Sequence, residues 1–150
     1  MKKIYIAAPF FTPQQIALVE DVERAILKAG LRYYSPKDDG ILQNMSAEER
    51  TAMGPKLFEL NVKMIRECDA TLALKEYSDT GTTWETGFAY GIDKPLFGYG
   101  ENRTKPLNIM VAQCFDAVLY GRDELDDFLE TYARGESIKG WSGRELKDTY

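Results

Sequence analysis

The chain has 150 residues, 44% of them apolar and 29% charged, with 24 acidic against 19 basic side chains. That size and balance suit one domain with a full core. No basic cluster longer than Lys2-Lys3 marks a nucleic-acid footprint. Histidine is absent, which excludes Ser-His-Asp and Cys-His machinery and argues against zinc. Any acid–base or covalent chemistry therefore falls to carboxylates, Tyr, Lys or Cys.

"KIYIAA" (Lys3 to Ala8) reads as a short buried strand. The N-terminus "MKKIYIAAPFF", with its two lysines, resembles a signal-peptide start, but the apolar stretch is too short and is cut by Pro9. "TPQQ" (Thr12 to Gln15) starts a helix: Thr as N-cap, Pro at the first helical position, Gln three residues after the cap. Ile16, Val19, Val22 and Ile26 give that helix one apolar stripe, and Gly30 closes it. "LRYYS" is a second strand, followed by the turn-rich "PKDDG". Ser46 and Glu49 form another capping-box pattern, and Gly54-Pro55 predicts a break that starts a new helix. In that second piece Leu57, Leu60, Met64, Ile65 and Cys68 share a face.

"DATLAL" is a third strand, and a helix follows from about Thr82 to Ile92. "KPLFGYG" is a fourth strand, "LNIMVA" a short helical or loop segment, and "DAVLY" a fifth strand. "DELDDFLETYA" is a last helix with Leu125, Phe128, Leu129 and Tyr132 inward. Strands alternating with helices imply an α/β fold: one domain over 1–150, with a five-stranded parallel sheet flanked by helices in a flavodoxin-like order. The polar tail, about 134–150, is either loose or docked on a partner, with a neighbouring subunit as the expected dock. Cys68 and Cys114 sit among apolar residues without metal spacing and read as reduced core thiols of a cytoplasmic protein. No apolar run is long enough to span a membrane.

In such folds the ligand lies at the carboxyl ends of the strands. Three segments converge there: Ala8 to Thr12, Pro36 to Gly40, and the stretch "DTGTTWETGFAYG" (Asp79 to Gly91). Glu85 sits near a helix start, where free N–H groups and the dipole favour an ionised carboxylate. Taken alone, such a position is equally a routine helix-start acid. Asp79, six residues upstream, supplies a second carboxylate at the same strand end. Two carboxylates in different environments can divide nucleophile and acid–base roles. Gly81 suits a tight turn between them. Asn61 is an amide on a stripe assigned to the core, so it bonds to nearby backbone or faces the cleft. Tyr5 can aim its hydroxyl at the carboxylates or simply fill the core. Phe10 and Phe11 can stack on a planar base or pack. Asn108, an amide in an apolar run, is a cap or a substrate contact. Gly87 and Gly91 read as allowing close helix–strand packing. The first loop, "AAPFFTPQQ", lacks either glycine-rich phosphate motif, which favours an uncharged ligand.

These pieces together resemble the nucleoside 2-deoxyribosyltransferase family. The matching stretches are "IYIAAPFF", "NVKMIRECDA" (Asn61 to Ala70), "DTGTTWETGFAYG" and "KPLNIM" (Lys105 to Met110), with the Asp-x-Gly-x-x-x-Glu-x-Gly element of Asp79 to Gly87 the most specific. The resemblance implies that Glu85 is the nucleophile attacking C1′ of a 2′-deoxynucleoside. It implies that Asp79 contacts the departing base and aids its protonation, and that Tyr5 hydrogen-bonds and orients the nucleophile. Phe10 would line the base pocket, with Asn61, Gly81 and Met110 as further substrate contacts. Asn108 would reach the 5′-hydroxyl in a neighbouring subunit's site, which makes the protein a homo-oligomer. Tyr150 resembles a frequent C-terminal tyrosine of the family. Substrates would be 2′-deoxynucleosides and free nucleobases, with no cofactor or metal, no nucleic acid and no membrane. Two departures bear on base preference. Asn61 stands where many relatives carry Asp, and an amide cannot supply a proton as an acid does. Gly40 or a neighbour stands where some relatives carry a base-reading Gln. The competing readings are a 2′-deoxynucleoside 5′-monophosphate N-glycosidase on the same fold, and a non-catalytic nucleotide-binding module.

Overall fold

The computed structural model describes residues 1–39, 44–76, 78–101 and 106–141. Five parallel strands form one sheet in the order β2-β1-β3-β4-β5: β1 (Lys3–Ala7), β2 (Arg32–Tyr34), β3 (Ala70–Leu74), β4 (Leu96–Gly100) and β5 (Ala117–Tyr120). β1, β3 and β4 are buried nearly throughout. That is why they read as unbroken apolar runs, as strands covered on both faces do. The sheet is the flavodoxin-like α/β arrangement, whose strand order reverses between β1 and β3. Crevices for ligands open at such a reversal, outside the carboxyl ends of the strands.

Helices α1 (Pro13–Lys28) and α5 (Arg122–Ala133) cover one face of the sheet. Helices α2 (Ala47–Glu67), α3 (Thr80–Gly91) and the single turn α4 (Ile109–Ala112) cover the other. The start of α1 is the predicted capping box: Thr12 Oγ1 accepts from Gln15 N at 3.2 Å, and Gln15 Oε1 accepts from Thr12 N at 3.1 Å. Gly30 takes φ of +76°, the left-handed turn that ends a helix without a Cβ clash. The stripe faces inward, with Leu18, Val19, Val22, Ala25 and Ile26 buried.

The predicted break at Gly54-Pro55 does not occur. α2 begins at the Ser46–Glu49 capping box and runs unbroken through Pro55. Proline removes one i→i−4 bond and frees a carbonyl. Residues 47–53 of this helix are exposed, so water can satisfy that carbonyl. Of the expected inward residues, Ile65 and Cys68 are buried while Leu57, Leu60 and Met64 are half-buried. Gly87 and Gly91 also differ from expectation: both are exposed, and a Cβ at either would meet open space. They do not serve close packing onto a strand.

The first part of the tail folds back on its own chain. Trp141 meets the Phe128 ring edge-on at 5.6 Å, and Ile138 packs on the same core. Tyr150 and Gly40 lie outside the described residues. Cys68 is buried and Cys114 partly so. Among the described residues, no helix is long and apolar enough to cross a membrane.

Candidate active site

Four of the predicted residues, Asp79, Gly81, Glu85 and Tyr5, come together around the start of α3. Asp79 is the N-cap of that helix. Its Oδ2 accepts from Thr82 N at 2.7 Å and from Thr82 Oγ1 at 2.8 Å, satisfying one of the orphan donors every helix start carries. Gly81 keeps this corner tight, since a Cβ there would stand 3.3 Å from Asp79 Oδ2. With the cap at Asp79, Glu85 falls in the second turn, and the first turn carries no acid. The expectation of a carboxylate among free N–H groups is corrected accordingly. The dipole effect fades within the first turn, so Glu85 is not explained as routine helix-start chemistry.

Tyr5 lies in the middle of β1 with no exposed surface. Its hydroxyl and Glu85 Oε2 are both buried without a hydrogen-bond partner of ordinary geometry. They are nevertheless close enough for the phenol to favour the carboxylate form of Glu85. Burial works the other way and is the larger effect. It raises the Glu85 carboxyl from 4.5 to about 8, with the nearby Asp79 charge adding to the rise. The same burial, with Glu85 beside it, pushes the Tyr5 phenol far above its usual range. Burial thus opposes the ionised form expected of Glu85 and favours the protonated carboxyl. Unsatisfied buried polar atoms are uncommon and mark sites of function or strain, and perturbed carboxyls gather at catalytic sites.

The remaining predicted residues are more dispersed. Asn61, on α2, has its Oδ1 buried and unpartnered, so nearby backbone does not satisfy it. Phe10 is half-buried and tilted against the Phe11 ring at 5.5 Å. Asn108 is the N-cap of α4: its Oδ1 accepts from Met110 N at 2.9 Å, so the cap reading holds. Both residues are exposed, Met110 at 76%. They line a cleft of about 580 Å³ between α3 and α4. Asp79, Thr82, Thr83 and Thr86 form its α3 wall; Tyr5, Phe10, Asn61, Gly81 and Glu85 are not in its lining. Asp79 is the residue common to both groupings.

Sequence reasoning missed several polar neighbours. Thr82 and Thr86 are buried, and Thr86 Oγ1 donates to Thr82 O at 2.8 Å. Tyr34 stacks on Tyr5 with ring centroids 5.6 Å apart. The spacing of "TGTTWET" at i, i+4 could have flagged the threonines. Tyr34 is placed only by the strand register, which "LRYYS" alone does not carry.

A family model for nucleoside 2-deoxyribosyltransferase matches residues 4–121, which spans every predicted site residue. The chain belongs to the nucleoside 2-deoxyribosyltransferase family. Among solved structures, a 2-deoxyribosyltransferase from the psychrotolerant bacterium Bacillus psychrosaccharolyticus is 27% identical with a TM-score of 0.72, over 84% of this chain and 91% of that one. A conserved protein from Enterococcus faecalis V583 is 19% identical with a TM-score of 0.61, over 90% of this chain and 99% of that one. The Clostridium botulinum CMP N-glycosidase BcmB is 18% identical with a TM-score of 0.54, over 89% and 99%. The last two share the fold alone. No curated protein sequence matches the chain.

Proposed function

We propose that this family member is a nucleoside 2-deoxyribosyltransferase that works through a covalent deoxyribosyl-enzyme on Glu85. The observation that carries the reading is the buried carboxyl of Glu85 facing the unpartnered Tyr5 hydroxyl, one helical turn and a half from the Asp79 cap. In this reading the Glu85 carboxylate attacks C1′, a C1′–O bond forms, and the C1′–N bond breaks with its electron pair leaving on the base. Asp79 contacts the departing base and helps it take up a proton. A nitrogen of a second base then attacks C1′ and releases Glu85. Two displacements retain configuration and give ping-pong kinetics. A buried anion stabilises the oxocarbenium-like transition state far better than a solvated one would.

The elevated Glu85 carboxyl fits a low-dielectric pocket built for a cationic transition state. Carboxylate chemistry then requires deprotonation, so transfer should rise with pH along a limb near 8 in the free enzyme. Asn61 Oδ1, buried and unpartnered, supports a role in meeting a polar group of the base, and Phe10 remains assigned to the base pocket. The exposure of Asn108 supports its assignment to a neighbour's site in a homo-oligomer, with Met110 kept as a substrate contact. The test mixes 2′-deoxyinosine with adenine or cytosine, with parallel samples lacking acceptor or containing a deoxynucleoside 5′-monophosphate. A new deoxynucleoside formed only with acceptor is expected. Free base released from the monophosphate, with no new nucleoside in any mixture, would replace this reading with the nucleotide N-glycosidase.

A further inference from the structure

A buried hydroxyl that makes no ordinary hydrogen bond cannot be aimed by hydrogen bonding. Only the packing of its ring holds it. Tyr5 is such a residue, with no exposed surface and an unpartnered hydroxyl. The parallel register of β1 and β2 sets Tyr34 directly beside it. The two rings stack with centroids 5.6 Å apart and planes 24° from parallel. Tyr34 is itself held at several points. Its hydroxyl donates to Asp39 Oδ2, at the end of the helical turn Pro36–Asp39 that follows β2. The Lys3 ammonium lies over its ring, 5.7 Å from the centroid. The Tyr34 hydroxyl is thereby committed to Asp39, which leaves Tyr5 as the phenol directed at Glu85.

We infer that Tyr34, tied down by Asp39, is a positioning residue: its ring fixes the Tyr5 ring so that the Tyr5 hydroxyl meets the Glu85 carboxylate during transfer. The inference rests on the proposed role of Glu85. It adds to that role a chain of contact from the exposed Asp39 through Tyr34 and Tyr5 to the reacting carboxylate. Tyr34 touches no reacting atom in this scheme and acts only through Tyr5. A displaced Tyr5 hydroxyl lowers the rate of the chemical step more than it weakens substrate binding, because small misplacements at a reacting centre are costly.

The test compares Tyr34→Leu, Tyr34→Phe, Asp39→Asn, Tyr5→Phe and the double variant Tyr34→Leu/Tyr5→Phe. Steady-state deoxyribosyl transfer is measured across pH, with thermal melting as the check on folding. Tyr34→Leu should lower kcat about tenfold with little change in KM. It should also move the ionisation limb of kcat/KM to higher pH, because a misplaced phenol no longer favours the Glu85 carboxylate. Tyr34→Phe, which keeps the stack, should recover most of kcat, and Asp39→Asn should behave like it. The double variant should match Tyr5→Phe alone, since two residues acting through one hydroxyl are not additive. Unchanged kcat and pH limb in a folded Tyr34→Leu, or additive losses in the double variant, would overturn the inference. If Tyr34→Leu does not fold, Tyr34→Met, which also removes the stacked ring, decides through the same limb: a folded variant with no shift overturns it. A second readout is independent of turnover. With labelled tyrosine, NMR should show the Tyr5 ring flipping faster in Tyr34→Leu than in the parent protein. An unchanged flip rate counts against Tyr34, whereas a parent protein that transfers nothing counts against Glu85 and the proposed function.

Discussion

The two faces of the sheet are built on different terms. The face under α1 and α5 is apolar and closed: Ile4, Ile6, Leu72, Phe97, Phe128 and Leu129 pack there with essentially no exposure. The face under α2, α3 and α4 holds a smaller core around Ala7, Ile65, Ala73 and Phe115, and Tyr5 belongs to it. Tyr5, Asn61 and Glu85, which bear on that face, all carry a buried polar atom without a partner, and Thr71, opposite Tyr5 in the ladder, does too. Among the described residues the remaining orphan, on Glu23 of α1, has the Lys37 ammonium 3.4 Å away. Burying unpaired polar groups costs stability. The molecule thus concentrates that cost on one face and keeps the other as the side that holds the fold together. The contrast predicts that substitutions on the two faces separate activity from stability.

The sharpest break is at Glu85. Glu85→Ala should reduce transfer by about a thousandfold or more, as loss of a nucleophile does, with chromatography of the new deoxynucleoside as the assay. Glu85→Gln should do the same and yet stabilise the protein at alkaline pH. The folded carboxyl keeps its proton to about 8, against 4.5 for the ordinary group. Between those values the folded state binds more protons than the unfolded state, so stability falls as pH rises through that window. At about 1.4 kcal/mol per pH unit the accumulated cost above pH 8 is about 4–5 kcal/mol. Chemical denaturation of Glu85→Gln and the parent at pH 5 and pH 9 should therefore show a gap that opens only at the higher pH. Equal gaps at both would mean that Glu85 is ionised at pH 5.

The opposite face gives the mirror result. Phe128 meets Phe97 edge-on at 4.7 Å and Trp141 at 5.6 Å. Phe128→Ala should cost about 3–5 kcal/mol, the loss of a large buried side chain plus the cavity left behind. The pH limb of transfer should stay where it was. Urea unfolding followed by tryptophan fluorescence measures the first, and the rate profile the second.

The same division decided what the sequence could disclose. On the closed face, elements follow from local rules: the Thr12–Gln15 box starts α1, its stripe buries, and Gly30 ends it. The strands could be listed because fully covered parallel strands are apolar throughout. On the other face, long-range effects override local ones. Pro55 sits inside α2 because its surroundings are wet, which depends on what does not pack there. Glu85 looked like a first-turn acid because the cap could not be fixed from spacing; the cap lies at Asp79, and burial, which spacing does not carry, raises the carboxyl. Tyr34 became visible only through the β1–β2 register. Asp79 and Glu85 were legible as carboxylates beyond a strand end, and Tyr5 as an aromatic within a strand. Their mutual geometry was not, since it depends on strand order.

The smallest effect comes from comparing two helix caps, one at the start of a helix on each face. Thr12 and Asp79 do the same structural work, each accepting from the backbone N–H three residues on. Thr12→Ala should cost about 1 kcal/mol and leave transfer untouched. Asp79→Ser keeps a good capping side chain, because Ser and Asp rank together at that position. Its stability should change by no more than about 0.5 kcal/mol, apart from a gain above neutral pH as the charge that raises the Glu85 carboxyl disappears. Transfer should still fall, by about tenfold to a hundredfold, because a hydroxyl does not replace a carboxylate in proton transfer to the leaving base. The limb near pH 8 should move to lower pH in the same variant, since removing a neighbouring negative charge favours ionisation of Glu85. Asp79→Ser with full activity and an unmoved limb would make Asp79 a cap like Thr12 and nothing more.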